Sequence, residues 1–210
     1  MKIALINGSP KGKRSTSASL LEDLQGCIGE KAETVWVELN RESVPEEAIQ
    51  ELKQADVWAF AFPLYVDGVP GHLLACLVQL EAALPGDREK PVYGIVNCGF
   101  YEGIQTEPAL WIMENWCEKA GYVWGGGIGV GGGGGLAMMP KMEPGKGPRA
   151  PIDMALSGLA DRLLRREARE NSYVSVAFPR FLYKLAAQSG WRKAIRANGG
   201  SAKDLGKRPE

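Results

Sequence analysis

The chain has 210 residues, with 25 Lys or Arg and 25 Asp or Glu, so its formal net charge is zero. This balance argues against a nucleic-acid-binding protein, and the length predicts one domain with a full hydrophobic core and room for an appended segment. The four cysteines lie far apart without a Cys-x-x-Cys pair, so the sequence supports neither a zinc site nor an iron–sulfur cluster. Reduced, buried thiols and the lack of a visible signal peptide predict a cytoplasmic protein.

The first predicted elements are a strand, a turn and the start of a helix. Residues 2–6 form a short apolar run typical of a strand buried in a parallel sheet, and Gly8 and Pro10 end it with a turn. A loop that leaves a strand and enters a helix N-terminus offers free backbone N–H groups and a favourable dipole to an anion. Hydroxyl groups and cations in the loop add further donors. We therefore predict a phosphate-binding loop whose candidate contacts are Ser9, Lys11, Arg14, Ser15, Thr16 and Ser17.

The spacing within this loop excludes two common nucleotide motifs. A P-loop has four residues between its first Gly and a Gly-Lys-Ser/Thr, whereas three residues separate Gly8 from Gly12, and Arg14 follows Lys13. The dinucleotide pattern Gly-x-Gly-x-x-Gly is also absent after the first strand. Cations and hydroxyl groups without a second close-approach glycine favour a terminal monophosphate over a pyrophosphate. The alternative is an ordinary turn followed by a helix cap.

The chain then alternates strands and helices up to about residue 170. The predicted strands are 34–39, 56–62, 91–98 and a fifth that opens at 122–124, and the predicted helices are 46–54, 73–84, 105–120 and 151–166. This alternation predicts an α/β fold, with a parallel sheet covered by helices on both faces. Five strands with a phosphate turn after the first favour a doubly wound sheet of strand order 2-1-3-4-5.

In that order, ligands bind beyond the carboxyl ends of the first and third strands. Two further loops should therefore converge on the phosphate loop, and both carry aromatic residues that could stack against a flat ring. Asn97 and backbone N–H groups could bind the polar edge of such a ring. The candidate contacts are Pro63, Leu64, Tyr65 and Val66 in one loop and Asn97, Cys98, Gly99, Phe100 and Tyr101 in the other. The alternative is ordinary capping of a sheet edge by surface aromatic residues.

Asn7-Gly8-Ser9-Pro10-Lys11, followed by Ser15-Thr16-Ser17, resembles the FMN-phosphate loop of the flavodoxin-like NAD(P)H-dependent FMN reductase and quinone reductase superfamily. Lys11 stands where many members have Arg, and Ser or Thr stands where they have Asn-Thr. Pro63-Leu64-Tyr65 resembles the Pro-x-Tyr flavin loop, and the segment from Asn97 to Phe100 stands where the second flavin loop belongs. The resemblance covers residues 1–135 and implies a flavodoxin-like fold.

The resemblance also implies a function, which is an FMN-dependent oxidoreductase. Such an enzyme would take hydride from NADPH or NADH and pass electrons to a small acceptor such as a quinone, a flavin, a nitro compound or a metal ion. No side chain need act as nucleophile, and the single histidine, His72, offers no catalytic dyad or triad. The resemblance further implies a homodimer. The alternatives are a flavin-binding electron-transfer protein or a regulatory protein, either without its own NAD(P)H turnover.

The run from Gly125 to Gly135 is almost entirely glycine. Repeated glycine permits close backbone approach, so the run could wall one side of a flavin pocket or admit the nicotinamide. The alternative is a flexible or merely tight link. The Met- and Pro-containing segment 131–147 that overlaps it is predicted to be a mobile lid, with Lys141 or Lys146 available to a nucleotide phosphate.

The last part of the chain, residues 171–210, is predicted to be a basic amphipathic helical extension of the FMN-binding domain 1–170. From Phe178 to Arg208 it carries eight Lys or Arg residues and one Asp, interleaved with aromatic and aliphatic residues. A helix of this kind can bind an anionic membrane or a partner. Its apolar face is short, so we favour packing on the acidic remainder of the chain or across a dimer over membrane attachment.

Overall fold

The computed structural model describes residues 1–84, 86, 89–136 and 146–207. Its strands are β1 Lys2–Asn7, β2 Glu33–Glu38, β3 Val57–Pro63, β4 Pro91–Asn97, β5 Val123–Val130 and β6 Ser172–Val174. Its α-helices are α1 Thr16–Ile28, α2 Glu46–Gln54, α3 Gly71–Ala83, α4 Glu107–Ala120, α5 Gly133–Leu136, α6 Ala150–Arg165 and α7 Arg180–Ala197. These bounds confirm the predicted alternation of strands and helices.

The strands form one parallel sheet of order β2-β1-β3-β4-β5-β6. The predicted order 2-1-3-4-5 is therefore confirmed, and the predicted count of five strands is one too few. The additional strand, β6, has three residues and pairs only with Ile128–Val130 at the edge of the sheet. A segment this short has no recognisable alternation of apolar and polar residues, so the sequence pattern could not predict it.

The core lies on both faces of the sheet because consecutive strand residues point to opposite sides. In β3, Trp58, Phe60 and Phe62 belong to the core cluster that contains the inner faces of α3 and α4. Helices α1 and α6 pack against each other, and α1 also contacts β3 and β4. Burial of β3 and β4 on both faces explains why their sequences are apolar almost throughout.

A buried ion pair joins α1 to α6. Arg149, which directly precedes α6, is 6% exposed and pairs with Asp23 of α1, and its guanidinium lies 3.6 Å from an Asp153 carboxylate oxygen. A buried charge is stable only when it is paired and hydrogen-bonded, so the pair with Asp23 holds the start of α6 against α1, while Asp153 of α6 itself provides a second carboxylate. The partners are far apart in sequence, and no local pattern predicted the pair.

Most of the glycine run is a strand, which corrects its interpretation as a flexible link. Residues 125–130 lie within β5 and are buried. A side chain at Gly125 would meet the Tyr93 ring at 2.5 Å, and one at Gly127 would contact Leu110 and the Gly94 carbonyl oxygen. The glycines of β5 therefore let its neighbours pack directly on the strand backbone, and this part of the run is not a flexible link. Of the predicted lid 131–147, residues 137–145, including Lys141, lie outside the described residues.

The chain divides into two compact units, Met1–Val176 and Ala177–Glu210. The division falls later than the predicted boundary at residue 170 because Ser172–Val174 belongs to the sheet. The second unit contains α7, which has no buried residue. Whether it packs on the first unit or on a dimer partner stays a prediction. None of the helices within the described residues is long and apolar enough to cross a membrane.

Candidate functional site

Four loops meet at the carboxyl edge of the sheet, where they follow β1, β3, β4 and β5. Backbone hydrogen bonds of 2.8 to 2.9 Å connect each loop to its neighbour, namely Gly8 N–H to Ala61 O, Leu64 N–H to Asn97 O, Cys98 N–H to Val130 O and Gly133 N–H to Cys98 O. The three loops predicted to converge are therefore brought together, and the end of the glycine run joins them. All the predicted site residues lie along this edge.

The first loop has the conformation of a compact turn that ends in a capped helix. The Asn7 carboxamide oxygen accepts a hydrogen bond from the Ser9 N–H group at 3.1 Å and fixes the start of the turn. Gly12 has φ +56°, and a side chain there would lie 3.2 Å from the Asn40 amide nitrogen, so this position requires glycine. The loop then enters α1, where the Ser15 hydroxyl accepts a hydrogen bond from the Ala18 N–H group at 3.0 Å.

The hydroxyl groups of this loop already make internal hydrogen bonds. Ser15 caps α1, the buried Ser17 accepts from the Asn97 amide nitrogen at 2.7 Å, and Thr16 donates to the Gly133 carbonyl oxygen at 3.3 Å. Helix geometry leaves the N–H groups of the first turn of α1 without helical partners, so Thr16 and Ser17 can offer backbone donors to an anion. Lys11 and Arg14 are exposed and can supply positive charge.

The second loop is a tight hairpin that holds its tip in a strained conformation. Tyr65 and Gly68 exchange backbone hydrogen bonds of 3.1 and 3.0 Å, and the two residues between them, Val66 and Asp67, have φ of +48° and +56°. Such values are unusual for non-glycine residues and costly for a β-branched one, and strain of this kind clusters at functional sites. The hairpin leaves Val66 fully exposed and Tyr65 42% exposed beside the phosphate loop.

The third loop exposes one aromatic side chain and buries a thiol. Phe100 is 53% exposed, whereas Cys98 is 4% exposed. Burial raises the pKa of the Cys98 thiol, a backbone hydrogen bond at Phe100 opposes this shift, and the charge of Glu102 adds to it. Cys98 therefore remains a protonated thiol at neutral pH and is a poor nucleophile. The Tyr101 hydroxyl donates to the Val176 carbonyl oxygen at 3.4 Å, which fixes its ring on the chain's own backbone.

Asn97, at the end of β4, connects the loops of the site. Its side chain is buried, and its amide nitrogen donates to the Ser17 hydroxyl at 2.7 Å and to the Phe62 carbonyl oxygen at 3.2 Å. Both amide hydrogens are thus engaged in the fold. Contact with a flavin edge stays a prediction for Asn97.

Glu38, which sequence reasoning passed over, and His72 both support the first loop. One Glu38 carboxylate oxygen accepts from the Asn7 amide nitrogen at 2.9 Å, and the other is buried without a hydrogen-bond partner among the described residues. Burial raises the pKa of Glu38, while the Asn7 hydrogen bond and the charge of Lys13 oppose this shift. His72 was expected to have a capping or surface role rather than a catalytic one, and its ring nitrogen lies 3.1 Å from the Gly8 carbonyl oxygen. The only feature of the sequence that could have identified Glu38 as part of the site is its position at the end of β2.

No protein-family model and no curated protein matches the chain. Among solved structures, it is similar to the Trp repressor binding protein from Bacillus subtilis, with 23% identity, a TM-score of 0.54, and coverage of 79% of this chain and 99% of that one. It is also similar to a flavodoxin from Streptococcus pneumonia TIGR4, with 11% identity, a TM-score of 0.56, and coverage of 79% of this chain and 99% of that one. A third similar structure is an NADH:FMN oxidoreductase in its apo form, with 19% identity, a TM-score of 0.58, and coverage of 80% of this chain and 91% of that one. The chain therefore has the predicted flavodoxin-like fold.

Proposed function

We propose that this chain is an FMN-dependent oxidoreductase, which takes hydride from NADPH or NADH and passes electrons to a small acceptor. The acceptor class comprises quinones, free flavins, nitro compounds and metal ions. The observation that carries the proposal is the meeting of a monophosphate-type loop with two exposed aromatic side chains at one sheet edge. One protein of similar structure is an NADH:FMN oxidoreductase, which supports the same assignment.

The residues at this edge fit FMN. The first turn of α1 offers backbone N–H groups, and Lys11 and Arg14 offer charge to a phosphate monoester. Tyr65 and Phe100 offer apolar surface to a flat ring system, and their loops are held by short backbone hydrogen bonds. Lys11, Arg14, Tyr65 and Phe100 thus support FMN as the ligand, and the other contacts predicted from the sequence stay predictions.

When bound, FMN would supply the redox chemistry, because its ring system accepts a hydride and releases electrons singly or in pairs. The chain's own residues would bind, orient and shield it. Lys11 and Arg14 would neutralise the phosphate, while Tyr65 and Phe100 would exclude water from the ring. Cys98 would stay a neutral thiol, because its raised pKa disfavours the thiolate.

The proposal predicts that NADPH or NADH alone reduces the bound flavin. Anaerobic addition of either nucleotide to the FMN-loaded protein should bleach the oxidised flavin absorbance in a stopped-flow instrument, because hydride transfer needs only a nicotinamide stacked on an exposed ring face. If FMN binds but neither nucleotide reduces it, and a separate reductase does, the electron-transfer alternative replaces the enzyme. If FMN does not bind, a regulatory protein replaces both.

We also propose a homodimer, with the candidate site near its interface. Leu74 and Val78 on α3 are 40% and 64% exposed, and Trp111 on the neighbouring α4 is 51% exposed. These side chains, like Tyr65 and Phe100, are large, apolar and exposed, and a second copy commonly covers such residues. Sedimentation equilibrium at micromolar concentration should give the dimer mass, and Val78→Lys should shift the mass towards the monomer. A wild-type chain that sediments only as a monomer would contradict this proposal.

A cytoplasmic location stays a prediction.

A further inference from the structure

A pocket of about 390 Å³ lies between the last turns of α6 and the segment that leads into β6. Its lining includes Gly158, Arg162, Arg165, Glu167, Arg169 and Ser172. Arg162 lies over Gly126, near the start of β5, whereas the candidate functional site adjoins Val130 at the end of that strand. At about 3.3 Å per residue, these two points are roughly 13 Å apart along β5. The pocket is therefore separate from the candidate functional site.

Arg162 is the unusual residue of this pocket. Arg162 is 9% exposed and lines the pocket, yet its guanidinium makes no hydrogen bond and no ion pair within the part of the chain that the structure describes. Burial lowers the pKa of Arg162, Tyr93 opposes this shift, and the charge of Arg169 adds to it. An arginine keeps its charge even so, and buried charges are normally paired because desolvation is costly.

The surrounding backbone holds Arg162 in this position. The single hydrogen of the Tyr93 hydroxyl lies within donating distance of two carbonyl oxygens, Arg162 O at 3.2 Å and Glu167 O at 3.1 Å, which fixes the end of α6. Burial raises the pKa of Tyr93 to about 12, so the hydroxyl remains a donor at neutral pH. A bulge in β5 places Gly126 beneath the guanidinium with φ +93°, where any side chain would lie 3.3 Å from an Arg162 nitrogen.

None of the other charged residues that line the pocket forms an ion pair with Arg162 among the described residues. Arg165 and Arg169 share one carboxylate, with Arg–Glu167 distances of 3.8 and 3.7 Å, and both side chains are largely exposed. Asp161 and Glu170 also line the pocket, so its overall charge is balanced. Recognition would therefore come from the guanidinium itself, whose planar donors match a carboxylate or phosphate group in a two-point contact.

We propose that this pocket is a second ligand site, which binds a small molecule through a phosphate or carboxylate group held by Arg162. The volume lies within the range of small-molecule sites, and the exposed Arg165 and Arg169 can contact the same ligand from the rim. The inference does not rest on the proposed flavin chemistry, because none of these residues belongs to the candidate functional site.

The test uses thermal unfolding of the full chain in buffer without multivalent anions, with inorganic phosphate added in one series and acetate in another. Wild-type protein should show a saturable rise in Tm with at least one of the two, because a ligand that binds the folded state raises stability. A rise with phosphate alone identifies a phosphorylated ligand class, and a rise with acetate alone identifies a carboxylated one. Saturating FMN should not remove the rise, because the two sites are separate.

Two variants test the site by different routes. Arg162→Met should unfold at the same or a higher temperature than wild type without added anion, because an unpaired buried charge is gone, and its apparent anion affinity should fall at least tenfold. Gly158→Leu should fold, since no atom lies within 4 Å of a side chain placed there, and should block the pocket. As matched controls, Arg41→Met removes an exposed charge, and the double variant Lys11→Gln, Arg14→Gln alters the phosphate loop. Both control variants should keep the rise in Tm with added anion.

With FMN saturating the phosphate loop, the proposal is wrong if neither anion gives a saturable rise in Tm in wild type, or if the rise persists in Arg162→Met or Gly158→Leu. If Arg162 had only a structural role, its replacement would lower the Tm and would leave any rise in Tm with added anion unchanged. A rise abolished by the Lys11 and Arg14 replacements would assign the anion to the phosphate loop instead.

Discussion

Gly129→Ala is expected to destabilise the chain by about 3 kcal/mol or more, which is the upper range for overpacking a buried site. Gly129 lies in β5 between β4 and β6. A methyl group there would contact the Thr106 hydroxyl, lie 2.7 Å from the Tyr173 ring and lie 2.8 Å from the Gly103 carbonyl oxygen. The strand is paired on both sides, so it cannot shift to make room. Urea unfolding followed by tryptophan fluorescence measures the loss.

Gly26→Ala is the matched control for this substitution. Gly26 lies within α1, is exposed, and has no atom within 4 Å of a new side chain. Alanine in a helix interior is more stable than glycine by about 0.5 to 1 kcal/mol, so this variant should unfold at a higher urea concentration than wild type. A Gly129→Ala protein with the wild-type midpoint would mean that the turn Gly103–Thr106 does not pack on β5.

The second large effect concerns the phosphate loop. The double variant Lys11→Gln, Arg14→Gln should bind FMN about a hundredfold more weakly, because each charge-assisted hydrogen bond contributes about 1.5 kcal/mol and about 1.4 kcal/mol changes affinity tenfold. Both side chains are exposed, and no hydrogen bond or ion pair to the described residues involves them, so their removal should leave the fold intact. Quenching of flavin fluorescence on titration measures the affinity.

Lys31→Gln is the control for charge, because Lys31 is equally exposed but follows the opposite end of α1. It should bind FMN as wild type does. Riboflavin, which lacks the phosphate, should bind the double variant and the wild type alike. Unchanged FMN affinity in the double variant would mean that these two cations do not hold the phosphate. Ser15→Ala would be a poorer probe, since Ser15 also caps α1.

The order of the sheet and the convergence of the loops were predictable because the relevant signals are local. An apolar run reveals each buried strand, Gly and Pro mark the turns, and the topology then places the loops at one edge. Helix α2, for example, has the predicted bounds 46–54, since a Pro precedes it and its apolar residues recur at helical spacing.

The features that escaped prediction depend on contacts between distant parts of the chain. Glycine has no side chain and therefore no periodicity, so the strand character of residues 125–130 depends on Tyr93, Leu110 and Thr106, which pack against it. The pairing of Arg149 with Asp23, and the burial of Arg162, likewise follow from how α6 packs. The internal hydrogen bonds that the Ser15 and Ser17 hydroxyls accept were likewise not predicted, and donation of their O–H groups to a phosphate stays a prediction.

Titration of the wild-type chain with FMN and, separately, with riboflavin tests most directly whether the carboxyl edge of this sheet is an FMN site. Flavin fluorescence and absorbance report binding of both compounds, and they differ only in the phosphate. We expect FMN to bind with a micromolar or lower Kd and riboflavin to bind at least about a hundredfold more weakly, because two charge-assisted contacts of about 1.5 kcal/mol each are lost with the phosphate. No binding of FMN, or equal binding of the two compounds, would contradict the FMN site at Gly8–Ser17.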